Sequence, residues 1–334
     1  MPAEITMGVN GAEMMYVGET PWHGVGTKLD TPATAKEAIE AAHLDWEVSM
    51  QPIYIKREDG FQEISDKKAI VRTDTGKIFN VFTNQYTPVQ NSESFKFFDG
   101  VVGAGEAIYH TAGSLKGGRR VWILAKLNGA LKVSQDVLDK YILLVNSHDG
   151  TLALTMKMTA VRVVCNNTLQ TALGGGRKDT FYSRHTPQII SKVTDARTIL
   201  GLADVYFENL MMGINRLVEK QMNQTALDGF VSELFVRQEG GRQDALTQHS
   251  ISETVKLFES GRGNDVIGVR GTAWAALNAV TEYVDHVKPV GRNLATAGAR
   301  NVVVDDKRLH SAWFGTGSDI KQRAWDILQR ISAN

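Results

Sequence analysis

Glycines and cations adjoin at two places in this chain where an anion could be held. The run Gly113-Ser114-Leu115-Lys116-Gly117-Gly118-Arg119-Arg120 sets consecutive glycines beside three cations. Glycines let successive backbone N–H groups turn toward one anion, and arginine forks match phosphate oxygens. Gly174-Gly175-Gly176-Arg177-Lys178 repeats the pattern after a predicted short helix, where the basic side chains equally suit that helix's terminal carbonyls. Phe181-Tyr182-Ser183-Arg184-His185 interleaves aromatic and basic residues, a composition suited to base stacking beside a backbone contact. These clusters belong to a wider basic stretch. Residues 111–185 hold eleven Lys and Arg against four Asp, an excess of seven, in a chain whose 37 basic and 37 acidic residues cancel. Such a local excess concentrates polyanions and strengthens their binding through counterion release. The phosphate ligands it nominates are Lys116, Arg119, Arg120, Lys157, Arg162, Arg177, Lys178 and Arg184.

A second chemistry needs a nucleophile and a base. Cys165 is the only cysteine, which excludes an intrachain disulfide and a thiolate-rich metal site. With His148 or His110 as base, it could serve acyl transfer. Two features argue the other way. His148 and Asp149 are adjacent in a tight turn and point different ways, and Cys165 lies among Val163, Val164 and Leu169 like a small buried apolar residue. Asn166 and Asn167 suit caps at a strand–helix junction. The eight histidines show no i, i+4 pairing, so no metal is expected, and no Gly-Lys-Ser/Thr closes a phosphate loop, so no nucleotide cofactor is expected.

The elements that must position these residues divide the chain. Residues 1–186 read as a β-rich domain with an N-terminal arm and basic hairpins, and residues 187–334 as a helical region. In the first part, Thr34 and Glu37 form a capping box for a helix over 34–43. Strands are expected over 47–56, 69–72 and 78–83, with a turn at Asp74-Thr75-Gly76-Lys77. A helix over 91–102 carries Phe95, Phe98 and Val102 on one face. Hairpins follow at 108–127, turning on Lys116-Gly117-Gly118, and at 141–158, turning on His148-Asp149-Gly150. Residues 165–173 read as helical. After Pro187 the pattern is helical over 189–222, 224–237, 244–259, 272–287 and 318–331. There the charge balance reverses, with ten acidic and seven basic residues between 187 and 260. Trp274, Tyr283, Trp313, Phe314 and Trp325 fall at helical spacings, as core or subunit contacts. The fold class is therefore α+β, a curved antiparallel sheet with hairpins followed by a helical half. A hydrophobic content of 43% with 22% charged residues is that of a soluble globular protein. The first residues lack a secretory pattern and no apolar run approaches the ~18 residues of a membrane span, so a cytoplasmic protein is expected.

Several blocks are similar to those of a phage- and plasmid-related family whose members carry a domain of unknown function. They are YVGETPWHGVG (16–26), QYTPVQ (85–90), AGSLKGGRRVW (112–122), SHDG (147–150), RVVCNNTL (162–169), TEYVD (281–285) and AWFG (312–315). The resemblance implies a mobile-element gene product in a bacterial host cell. The order of helix, successive hairpins and helix also resembles the core of single-strand annealing recombinases. That likeness implies a basic groove for single-stranded DNA and assembly into rings or filaments. Pattern and charge together lead to an expected single-stranded DNA-binding, annealing protein acting in recombination or replication. Two rivals stand beside it: a non-enzymatic oligomeric interaction protein of a mobile element, and a Cys165-dependent hydrolase.

Overall fold

The computed structural model describes residues 5–18, 21, 24–102, 105–162, 167–169, 180–186, 196–236, 245–288, 311 and 315–333. In chain order, a small hairpin of β1 (Met7–Gly8) and β2 (Gly11–Ala12) leads into β3 (Met14–Val17) and β4 (Thr27–Leu29). Helix α1 (Ala35–Ala41) starts at Thr34, which forms with Glu37 the reciprocal capping box that the spacing predicts. Strands β5 (Val48–Arg57), β6 (Gly60–Arg72) and β7 (Ile78–Thr83) make a three-stranded antiparallel sheet. Helix α2 (Asn91–Val102) sinks Phe95 and Phe98 fully into the core.

The main sheet then forms from β8 (Ala107–Leu115), β9 (Arg120–Val133), β10 (Asp136–Ser147), β11 (Leu154–Arg162), β12 (Asn167–Leu169) and β13 (Thr180–Ser183). Its order is β12-β11-β10-β9-β8-β3-β4, with β13 also paired to β11. Every pair is antiparallel except β3–β4. Bulges between Tyr109 and Thr111 and between Asp139 and Tyr141 bend the strands. Both β9 and β10 contain uninterrupted apolar runs, and those residues are buried, as sheet strands covered on both faces require.

The helical half comprises α3 (Ala196–Glu219), α4 (Gln224–Phe235), α5 (Ala245–Ser260), α6 (Ala273–Glu282), a π-helical turn (Tyr283–Val287) and α7 (Thr316–Ala333). All ten residues of α6 are buried, and its alanines let α3, α5 and α7 approach closely. Trp274 of α6 donates Nε1–H to Asp136 of β10 at 3.0 Å, and Lys140 lies 5.7 Å from the Phe207 ring of α3. Asp285 in the π turn meets the fully buried Lys321 of α7 at 2.5 Å. One continuous apolar core extends from Met15 through the sheet to Leu328.

Two local expectations give way to long-range pairing. Residues 167–169 form β12 against β11, with Val161 opposite Thr168, where the sequence pattern reads helix. A free strand edge offers these residues a ladder that overrides a weak local preference. The N-terminal segment is likewise more than an arm: β3 is entirely buried and sits inside the sheet between β8 and β4.

The sheet is tight where β3, β8 and β9 meet. A Cβ on Gly113 would lie 2.3 Å from Trp122 Cη2 and 2.7 Å from the Glu13 carbonyl. Neither the indole nor the neighbouring strand has room to withdraw. Gly113→Ala is therefore expected to destabilise the fold by about 3 kcal/mol, the upper part of the range for overpacking. Thermal unfolding checks this, and an unchanged Tm would contradict the packing.

Candidate nucleic-acid interface

Sheet register brings Arg184 to the end of the sheet where the sequence neighbours Lys116, Arg119 and Arg120 lie. Leu115 faces Arg120, Arg120 faces Ser147, and Leu154 faces Ser183. The 116–119 tip, the 148–153 turn and residues 184–186 therefore share one end of the sheet. Lys116, Arg119, Arg120 and Arg184 gather there, beside His148 and Asp149. Lys157 does not, since it stands opposite Leu143 in mid-sheet. It is half-buried, and burial disfavours its ammonium, with Asp319 of α7 partly supporting the charge. Arg162 stands opposite Leu138 at the far end, nine residues along β10 from Ser147. At ~3.3 Å per residue that is roughly 30 Å. Arg177, Lys178 and Cys165 lie outside the described residues.

One cation at this end escaped the sequence reading. Lys77, from the β6–β7 turn, donates Nζ–H to the Gly117 carbonyl at 3.2 Å. Its turn was legible, but nothing local says that it meets the 116–119 tip.

The tip is held down rather than projecting. Lys116, Gly117 and Gly118 have φ of 57, 69 and 90°, three successive left-handed residues, which is why two are glycines. Gly118 N–H donates to Thr6 Oγ1 at 3.0 Å, so it is committed within the protein. A Cβ on Gly118 would lie 2.8 Å from Arg72 Nη1. That arginine stacks 4.1 Å from the Trp46 ring centre and binds Asp74 through two bonds of 2.7 and 2.8 Å. It also reaches the buried Glu13 carboxylate at 2.7 Å, which accepts a further hydrogen bond from Ser114 Oγ.

Arg120 lies beneath the surface, 8% exposed, and donates from Nη2 to Thr151 Oγ1 at 2.9 Å. Thr151 in turn donates to Asp149 Oδ1 at 2.6 Å, and Ser147 Oγ does the same. Burial resists ionisation of Asp149, but the bonds from Ser147 and Thr151 and the nearby Arg120 charge outweigh it and hold the carboxyl below its usual range. Arg120 thus props the 148–153 turn. Arg184 is exposed, and neither it nor Arg119 forms an ion pair among the described residues.

His148 is wholly buried. Asn91 Nδ2 donates to the Leu44 and Trp46 carbonyls, which turns Oδ1 toward His148. His148 Nε2 must then carry the proton, donating at 3.0 Å. The ring packs edge-on to Trp46 and stacks on Phe79. Burial above all, helped by nearby His185 and Arg72, pushes its pKa down to about 3. His110, also desolvated, falls to about 4, with Lys126 contributing. Unfolded histidine binds a proton below ~6.5, whereas these two stay neutral when folded, so stability is full above that pH and falls as the pH drops toward 4. At 1.36 kcal/mol per pH unit, each should cost about 2 kcal/mol at pH 5. Urea titrations at pH 7.5 and 5.0 check this, and His148→Gln should remove about 2 kcal/mol of the difference.

Beside Arg184 lies an open cleft of about 410 Å³, lined in part by Phe82, Tyr86, Leu152, Ala153 and His185. Tyr86 stacks on Phe82 at 4.0 Å and on His185 at 4.9 Å, and its hydroxyl donates to the Ser147 carbonyl at 3.2 Å.

Sheet, helical layer and gathered turns together define an α+β protein in which Lys77, Lys116, Arg119 and Arg184 meet at one sheet end, next to an aromatic cleft. Its residues 78–313 match the family model described as Domain of unknown function (DUF932). With more than two thirds of its length matched, the chain belongs to that family. Comparisons with curated proteins and with solved structures gave no match. Among the described residues no helix is long and apolar enough to cross a membrane.

Proposed function

We propose that this protein binds single-stranded DNA at the basic sheet end, as an annealing protein of a phage or plasmid acting in recombination or replication. The observation that carries the reading is the convergence of Lys77, Lys116, Arg119 and Arg184 from two separate turns and the end of β13, next to stacked aromatic rings. Cations track a phosphate backbone and ring faces accept unpaired bases, a combination that favours single strands with little dependence on sequence. Fluorescence anisotropy with a labelled single-stranded oligonucleotide, against duplex competitor and across a salt series, tests it. Binding that is tight, salt-sensitive and selective for single strands is expected. No binding at low salt overturns the reading.

A role through assembly has its own support, and it is compatible with annealing. The β5–β6 hairpin runs past β7, which pairs only with residues 67–71 of β6. Beyond that point the ribbon has two strands and is exposed, with Phe61 75% and Tyr54 51% accessible. An isolated two-stranded ribbon is marginal by itself. Residues 56–68 carry four basic and four acidic side chains, a self-complementary balance that fits a second copy of this chain. Phe61→Glu should therefore shift the protein to a smaller species in light scattering coupled to size exclusion, with an unchanged circular dichroism spectrum. A wild-type protein that is monomeric at tens of micromolar would end this reading.

The hydrolase alternative gains no support at His148, whose imidazole is buried, neutral and already bonded to Asn91.

A further inference from the structure

We propose that the cleft bounded by Phe82, Tyr86, Leu152, Ala153 and His185 receives one unpaired nucleobase of the bound strand, while Arg184 holds an adjoining phosphate. The inference rests on the single-strand reading above and deepens it by naming the part of the strand that enters the protein.

Four observations converge on this cleft. Its volume, about 410 Å³, lies in the lower part of the range for small-molecule sites and suits a single flat ring system. Its wall is mainly apolar and aromatic, with the Phe82–Tyr86–His185 stack forming one side. The exposed cation Arg184 lines it, and the sheet register puts Lys116 and Arg119 at the same end, so a strand tracking those charges passes its mouth. The fourth observation concerns His185, which is more than nine-tenths buried. Its Nδ1 faces the Thr87 carbonyl at 3.3 Å and must donate there, which leaves Nε2 as a buried acceptor with no hydrogen-bond partner, one that a base N–H meets once the ring edge is uncovered. All four bases carry N–H donors on the edge that pairing would otherwise occupy. A base in a duplex has that edge engaged and both faces stacked. Only an unpaired base can use the cleft, so the site would supply the discrimination against duplex that surface cations cannot.

The test compares two strands of equal length and charge, an oligothymidylate and an abasic deoxyribose-phosphate chain. Their phosphate contacts are the same, so the ratio of their affinities isolates the bases. The wild-type protein is expected to prefer the base-bearing strand by roughly tenfold or more. Ala153→Trp, which fills the cleft without changing charge, should bring the ratio close to one while leaving affinity for the abasic strand unaltered. Leu152→Gln, a half-buried and milder change, should lower the ratio in the same direction and covers the case in which the tryptophan perturbs folding. Equal wild-type affinity for both strands would overturn the base site and leave the DNA reading intact, as would a preference that survives both substitutions. Failure to bind either strand would overturn both. Binding of free thymidine monophosphate as tight as that of the strand would reassign the cleft to a mononucleotide and also overturn the proposal.

Discussion

Arg72→Met is expected to destabilise the fold by about 3–5 kcal/mol, because it strands a buried carboxylate. The Glu13 side chain is 1% exposed and that of Arg72 6%. With Arg72 gone, Glu13 keeps the Ser114 hydroxyl as partner but loses the neutralising charge 2.7 Å away. Desolvation resists ionisation of Arg72, yet its bonds to Asp74 and Glu13 outweigh that resistance and keep the guanidinium charged. The loss also removes the cation from the Trp46 face and opens a space under Gly118. Guanidinium titration measures the change, and for a domain of ordinary stability it is a large fraction of the total. The double variant Glu13→Met with Arg72→Met should recover much of the loss, since apolar replacement of both partners removes the stranded charge. A single variant within 1 kcal/mol of wild type would show that the pair does not hold this corner together.

The largest functional effect is expected from removing Lys116, Arg119 and Arg184 together. Lys116→Gln, Arg119→Gln and Arg184→Gln combined should reduce the slope of log K against log salt by about 2, at ~0.7 per phosphate contact on a single strand. Affinity at moderate salt should drop on the order of a hundredfold. Glutamine keeps much of each stem and its packing, which matters because Lys116 and Arg119 are half-buried and Lys116 has left-handed φ. Arg162→Gln, roughly 30 Å away along the sheet, is the matched control and should leave the slope alone. An unchanged slope in the triple variant would remove the sheet end from the interface. An equal loss from Arg162→Gln would extend the interface along the whole sheet. Arg120→Gln belongs to a different class: it should weaken the 148–153 turn through Thr151 and register mainly as lost stability.

Elements that local chemistry encodes were legible from the residues. Thr34 and Glu37 specify a helix start within four residues, and α2 begins and ends where its apolar period predicts. Lys116-Gly117-Gly118 and His148-Asp149-Gly150 mark turns because glycine alone takes positive φ without cost. The α+β order of hairpins followed by helices comes from the same change of hydrophobic period. Tertiary structure decided how these pieces meet. It drew Met14–Val17 into the main sheet, made residues 167–169 a strand, and set Lys77 against Gly117. It also sorted eight nominated cations: Arg119 and Arg184 without ion pairs among the described residues at one end, Lys116 beside them, Arg120 beneath, Lys157 half-buried near α7 and Arg162 far along β11, with Arg177 and Lys178 beyond the described residues. The physical reason is that turn conformation and helix capping depend on a few adjacent residues, whereas the position of a side chain on a sheet depends on register with strands remote in sequence. A slip of one residue would send every side chain of a strand to the opposite face.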